Sequence, residues 1–136
     1  YGGFLAGLDG GIGYNTWPKM HGEWIPEGMY SMQGLWHVTE GRYGVQFIHR
    51  ILPILISFFC VFIWIKARIE RLKTDTLRAL NILLCTVVLQ IILGICTLVL
   101  QVPVSFALAH QIVAFFLFGI CVYLVFIFKH KKSSYL

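Results

Sequence analysis

Three long apolar runs limit what this chain can fold into. They lie at residues 45–65, 77–100 and 106–128, and each is long enough to cross a bilayer, which takes about 20 apolar residues in a helix. Only 12% of the residues are charged, whereas soluble domains carry about 25%. The sequence therefore predicts an all-α membrane protein, a transmembrane helical bundle whose helices are joined by residues 66–76 and 101–105.

The segment before the first run divides into two parts. Residues 1–8 are apolar and small but too short to span a membrane, and they lack the basic start of a signal peptide. We interpret them as the end of a truncated transmembrane helix, which makes the chain a fragment of a longer membrane protein. Residues 9–44 form a long polar loop, and residues 129–136 form a tail.

The distribution of basic residues predicts the orientation of the bundle. The 9–44 loop has two basic residues against four carboxylates, the 101–105 turn has no charge, and five basic residues lie between positions 66 and 78. Basic residues in short loops mark the inner side of a membrane. We therefore expect the long loop outside and the tail inside, which also explains the net charge of +5 without nucleic-acid binding.

Two histidines lie within the apolar runs, and ionisable residues in such segments usually have a function. The first and third spans run in the same direction, so His49 and His110 lie at a similar depth near the outer ends. Facing helices of a bundle can hold haem iron between two such imidazoles. The alternative is two unrelated hydrogen bonds between helices.

Several further residues have two interpretations each. Arg50 could pair with a haem propionate or reach lipid headgroups, and Gln111 could support His110 or only pack. Asn81, Gln90 and Gly94 are interpreted as helix-contact residues. The four cysteines form no C-x-x-C pair and are interpreted as buried thiols.

The long loop is dense in glycine, proline and aromatic residues, which predicts a folded cap over the outer end of the bundle. Trp17, Trp24 and Trp36 fit either an interfacial belt or a haem edge. His21 and His37 also lie in this loop. They are interpreted as solvated histidines rather than metal ligands.

Three ordered motifs carry a resemblance to a known family. Residues 6–9 (AGLD) and 14–26 (YNTWPKMHGEWIP) resemble the extracytoplasmic loop of haem A synthases. Residues 46–50 (QFIHR) resemble the family's Q-F-x-H-R motif, and residues 110–111 resemble its later H-Q motif. His21 stands where Asp is usual and Lys19 where Leu is common, both within the loop.

The resemblance implies an eight-helix protein of two four-helix halves, of which this chain is the C-terminal half with its first helix truncated. The family oxidises a methyl group of haem O to the formyl group of haem A, for haem–copper oxidases. The resemblance implies that His49 and His110 hold a b-type haem, with Gln46, Arg50 and Gln111 as its neighbours. Gln46 stands where the other half carries Glu, so no catalytic residue is expected in this half, and this fragment alone is not expected to be catalytic.

The implied partners are haem O, through the N-terminal half, an electron donor and the lipid bilayer. A haem O synthase and a second copy of the chain are candidate contacts. The implied location is a bacterial cell membrane, with the mitochondrial inner membrane as the alternative. A stand-alone b-type cytochrome that carries electrons without catalysis remains the alternative function, and a small transporter subunit is a third.

Overall fold

The computed structural model describes residues 2–26 and 40–133, and in that part of the chain the regular structure is helical apart from one isolated bridge between Met20 and Glu23. The helices are α1 (Gly2–Gly7), α2 (Arg42–Ile69), α3 (Thr74–Val99) and α4 (Val104–Ser133). Helices α2, α3 and α4 are long and apolar enough to cross a membrane. The predicted all-α transmembrane bundle is confirmed.

All three spanning helices begin before their apolar runs, and α3 begins at Thr74, three residues before its run. Helix α2 begins at Arg42, three residues before the run, and α4 begins at Val104, two residues before it. The first turns are closed by backbone hydrogen bonds, such as Ala107 N–H to the Pro103 carbonyl at 3.0 Å. An apolar run marks the part of a helix that suits the lipid core, whereas the helix itself continues into its polar flanks.

Tight turns set the directions of the spanning helices. At the end of α2, Arg71 has a positive φ of 51°, and Leu72 N–H donates to the Ala67 carbonyl at 3.0 Å. Val102 N–H closes the end of α3 in the same way, on the Thr97 carbonyl at 2.7 Å. These are Schellman motifs, which stop a helix and reverse the chain. Sequential helices are therefore antiparallel neighbours, and α2 and α4 run in the same direction.

The half of the bundle that contains the end of α2 and the start of α3 is a packed apolar cluster, which we call the inner core after the orientation expected from the sequence. It draws on all three spanning helices, with α3 at its centre. Its buried members are Cys60, Ala67, Ala79, Leu80, Leu83, Val87 and Leu124. Leu80 is only 1% exposed. Packing of this kind holds membrane helices together because the lipid offers no hydrophobic driving force between them.

The outward faces of the helices are apolar and exposed. Phe58 and Phe62 on α2 and Phe115 and Phe118 on α4 are more than half exposed, as expected of side chains that meet lipid. One polar contact joins α2 to α3 within the span, where the Trp64 indole donates to the Asn81 side-chain oxygen at 2.7 Å. The chain is a multi-pass membrane protein.

Candidate functional site

The two membrane histidines meet in the other half of the bundle, near the starts of α2 and α4, which we call the outer half. His49 lies seven residues after the start of α2, and His110 lies six residues after the start of α4. Their ring centroids are 6.4 Å apart, and their planes are inclined by 76°. Both side chains are half-buried. Because α2 and α4 run in the same direction, these similar distances from their starts bring the two rings to a similar depth.

Helix α3 forms the wall behind His110. The Gln90 side-chain nitrogen lies 3.2 Å from Nε2 of His110. Gly94, one turn further along α3, leaves the space that the ring occupies, since a Cβ there would lie 3.0 Å from Cε1 of His110. The two residues are four apart and so share one face of the helix. We call His49, His110, Gln90 and Gly94 the outer site.

The outer site contains buried polar atoms that lack partners. Among the described residues, Nδ1 of His110 and the side-chain oxygen of Gln90 are buried without a hydrogen bond. Buried polar atoms are normally paired, because an unpaired one costs about 1–3 kcal/mol. The outer site is therefore arranged to receive a further group, and an imidazole nitrogen with a spare lone pair suits a metal ion.

Arg50 lies next to His49 in the chain, but its guanidinium binds the long loop. It donates to the carbonyl oxygens of Tyr14 at 2.6 Å and Thr16 at 2.8 Å. Weaker contacts reach the carbonyls of Pro18 and Lys19, both at 3.4 Å. A guanidinium satisfies several carbonyls at once because its donors fan out in one plane. Arg50 thus fixes the path of the loop over the start of α2.

Other atoms of Arg50 define its surroundings. Its guanidinium carbon lies 5.8 Å from the centroid of the Trp17 ring, within the range of a cation–π contact. The side chain is 9% exposed, and among the described residues its Nε is buried without a partner. A buried cation with a donor to spare is suited to an anionic group.

Gln46 belongs to the same junction between helix and loop. It is 2% exposed, donates to the Tyr14 carbonyl at 3.3 Å and accepts from Arg50 at 3.4 Å. Both ends of its amide are therefore engaged in structural contacts. Gln111, the other predicted neighbour of the site, lies on the exposed side of α4.

Asn15 attaches the long loop to α3. Its amide nitrogen donates to the Leu98 carbonyl and to the Gly11 carbonyl, both at 2.8 Å, and its oxygen accepts from Gly13 N–H at 3.1 Å. The last carbonyls of a helix have no partner within it, so Leu98 offers a natural anchor. Arg50 and Asn15 together fasten the described part of the loop to α2 and α3.

His21, the loop histidine that the structure describes, does not join the pair. His21 packs against Tyr14, with ring centroids 4.4 Å apart, and its backbone N–H donates to the Thr16 hydroxyl at 2.9 Å. His37 and Trp36 lie outside the described residues. Within the described ranges, no group of three or more His, Cys, Asp or Glu side chains is placed to hold a metal ion.

Sequence reasoning assigned Gln90 and Gly94 only to helix packing. A signal for their position was present in the spacing. Gly94 precedes Leu100 by six residues and His110 follows Val104 by six, so a tight turn between α3 and α4 brings them to the same level. Gln90 lies four residues before Gly94, on the same face of α3, and is therefore expected near the same ring.

The comparisons with known proteins cover most of the chain. Residues 1–122 match the COX15-CtaA family model, described as cytochrome oxidase assembly protein. The haem A synthase of Wolbachia pipientis wMel is 38% identical over 135 residues, which are 98% of this chain and 37% of that protein.

Relatives from other bacteria match at similar levels. The haem A synthase of Flavobacterium johnsoniae is 37% identical over 126 residues, 90% of this chain and 37% of that protein. That of Nitrosospira multiformis is 36% identical over 118 residues, 86% of this chain and 33% of that protein. The chain thus spans about a third of these relatives' length. No solved structure matches it significantly. The family match over residues 1–122, supported by these relatives, means that the chain belongs to the haem A synthase family of cytochrome oxidase assembly proteins.

Proposed function

We propose that this chain is the haem-b-binding half of a haem A synthase, with His49 and His110 as the two axial ligands of the iron. The observation that carries the proposal is the meeting of these two rings at one depth, with centroids 6.4 Å apart. Imidazole–metal bonds are about 2 Å long, so His49 and His110 could both bind one iron with their centroids about 6 Å apart.

The number of ligands favours haem over a bare metal ion. A protein site for zinc uses three or four side chains, and the described part of the chain offers no group of three suitable ones. A porphyrin supplies four nitrogens itself, so two histidines complete the coordination of its iron. A pair is therefore the number of side chains that a low-spin haem requires.

The surroundings of the pair also suit a haem. Nδ1 of His110 is buried without a partner, and the missing side chain at Gly94 leaves the space that the ring fills. Arg50 keeps an unpaired buried Nε that fits the carboxylate of a propionate. When bound, a haem of this type supplies one-electron chemistry, and the residues of this chain hold it, orient it and shield it from water.

The engaged amide of Gln46 supports a division of labour between two halves. An acid–base step needs a group that gains or loses a proton near neutral pH, which an amide does not do. Gln46 is also held between Arg50 and the Tyr14 carbonyl. We infer that haem O is oxidised in the N-terminal half and that this half is not catalytic by itself. A haem held by His49 and His110 would supply one-electron chemistry to the other half or support it structurally.

The proposed setting is a bacterial cell membrane, with the long loop and the outer site outside and the tail inside. The bacterial relatives favour this setting over the mitochondrial inner membrane. The basic residues of the connection between α2 and α3, including Arg68 and Arg71, support the orientation. A haem O synthase and a second copy of the chain are the proposed contacts.

Helix contacts argue against a transporter. A transport path needs polar side chains free to line it, and the two candidates in the span are both engaged: Asn81 accepts from Trp64, and Gln90 contacts His110. A b-type cytochrome that only carries electrons would use the same ligand pair. The family match favours the enzyme over the carrier.

The test is a reduced-minus-oxidised visible spectrum of the protein purified in detergent. We expect a sharp low-spin b-type signal that His49→Ala and His110→Ala each abolish. His21→Ala is the matched control, since His21 packs in the loop, and it should retain the signal. Equal spectra for all three variants would overturn the bis-histidine site.

A second measurement separates the enzyme from the carrier. Haems are extracted from cells that express the protein together with the N-terminal half of a relative and that supply haem O. Haem A should accumulate with the unchanged chain and not with His110→Ala. Haem A at equal levels in both would leave this half without a role in the reaction.

A further inference from the structure

Metal ligation by His110 alone does not explain why Gln90 contacts its ring in the outer site. The Gln90 nitrogen faces Nε2 of His110 at 3.2 Å, while the Gln90 oxygen and Nδ1 of His110 are both buried without partners among the described residues. This contact thus leaves an acceptor of Gln90 and the other ring nitrogen of His110 unsatisfied. Rotation of the amide by 180° exchanges its oxygen and nitrogen at almost no cost in shape.

That rotation would pair the Gln90 oxygen with the ring and leave Nδ1 of His110 for a metal, while the amide nitrogen takes the former place of the oxygen. An amide oxygen facing the ring nitrogen accepts its N–H, and this fixes the tautomer of the ring. The opposite ring nitrogen then carries the lone pair and is the one free to bind a metal. The amide satisfies His110 in its unligated form through the nitrogen and in its ligated form through the oxygen.

We propose that Gln90 is a positioning residue that accepts the N–H of ligated His110, orients that ring and lowers the reduction potential of the bound haem. The inference rests on the proposed haem site. A hydrogen-bond acceptor behind a ligating imidazole increases its basicity, and a more basic ligand favours the ferric state. Gly94 supports the arrangement, because the ring lies against its bare backbone.

The first test compares variants of Gln90 by redox titration and by electron paramagnetic resonance of the ferric protein. Gln90→Leu keeps the bulk but removes the acceptor, so the potential should rise and the resonance should shift. Gln90→Glu supplies a stronger acceptor, so the potential should fall. Haem affinity of Gln90→Leu should drop by about tenfold or more.

Gln111→Glu is the matched control for charge, since it makes the same amide-to-carboxylate change one residue from His110 but on an exposed side of α4. It should lower the potential less than Gln90→Glu and leave the resonance unchanged. Shifts of the same sign in Gln90→Leu and Gln90→Glu would overturn the inference, as would an equal effect of Gln111→Glu.

The second test isolates the N–H itself. In His110→Gly, free imidazole or 1-methylimidazole can take the place of the missing ligand, and only imidazole carries an N–H. When Gln90 is present, we expect imidazole to bind about tenfold more tightly than 1-methylimidazole. In His110→Gly/Gln90→Leu, we expect imidazole and 1-methylimidazole to bind equally. Equal binding with Gln90 present would overturn the inference.

The two proposals fail differently. If the unchanged protein binds no haem, the haem site itself is wrong and this inference falls with it. If the unchanged protein binds haem through His49 and His110 but Gln90→Leu has the same potential and resonance, only the role of Gln90 is wrong.

Discussion

The inner and outer halves of the bundle are built on opposite principles. The inner core contains seven buried side chains, none of which carries a charge or an amide. The outer half holds every buried side-chain atom that lacks a partner among the described residues, and these atoms belong to Arg50, Gln90 and His110. Packing stabilises the inner half by itself, whereas the outer half keeps unsatisfied groups that a ligand can complete.

This contrast means that stability and ligand binding can be damaged separately. In a membrane, helices associate through close packing and a few polar contacts, so the inner core sets how firmly the bundle holds. Unpaired polar groups cost stability and persist where they serve a site. Substitutions in each half should therefore change different measurements.

The largest effect on stability is expected from Leu80→Ala in the inner core. The change leaves a cavity at a side chain that is 1% exposed, and such cavities cost about 2–5 kcal/mol. Thermal unfolding in detergent should occur at a lower temperature, with no change in the position of the haem bands. Ile82→Ala, on the same helix but 56% exposed, is the control and should have little effect. Altered haem bands in Leu80→Ala would break the separation between the halves.

Arg50→Met should release the loop from α2. It removes the donors to the Tyr14 and Thr16 carbonyls, and hydrogen bonds to a charged group contribute about 1.5–3 kcal/mol each. Limited proteolysis within residues 14–23 should become faster, whether or not haem is bound. The control is Arg42→Met, because Arg42 makes an exposed ion pair with Asp9 at 4.0 Å, and such pairs contribute little. An unchanged cleavage rate in Arg50→Met would mean that other contacts hold the loop.

Gly94→Ala should disturb the outer site while sparing the inner core. The added methyl lies 3.0 Å from Cε1 of His110, so the ring must move, at a cost of about 1–3 kcal/mol. Haem affinity should fall by about tenfold, which corresponds to 1.4 kcal/mol. Gly119→Ala on α4 is the matched control, since a methyl there meets nothing within 4 Å. Equal haem affinity in both variants would remove Gly94 from the site.

The sequence was sufficient to predict the bundle, because a membrane span is recognised from the apolar character of one continuous segment. Apolar length predicted α2, α3 and α4, and the distribution of basic residues predicted that α2 and α4 run in the same direction. That common direction already brought His49 and His110 to similar depths. Whether the two rings bind haem stays a prediction.

Side-chain partners were harder to predict because they depend on the path of a loop. Arg50 was assigned to a propionate or to lipid headgroups, and the structure shows its guanidinium on the carbonyls of Tyr14 and Thr16. No residue pattern encodes backbone carbonyls as partners. Gln90 was assigned to helix packing because an amide in a membrane helix usually serves that purpose, and its contact with His110 depends on the rotation of α3 about its axis.

The smallest effect is expected at the other attachment of the loop, in Asn15→Ala. This change removes the bond to the Leu98 carbonyl at 2.8 Å, together with the bonds to Gly11 and Gly13 within the loop, but leaves the Arg50 contacts in place. One neutral hydrogen bond contributes about 1 kcal/mol, so proteolysis of the loop should accelerate less than in Arg50→Met. If both attachments restrain the same segment, the acceleration of proteolysis in the double variant should exceed the sum of the accelerations in the two single variants. Each single loss leaves the other attachment intact. Simple additivity would mean that the two ends of the loop are held independently, and the loop would then be two local attachments rather than one cap over the outer site.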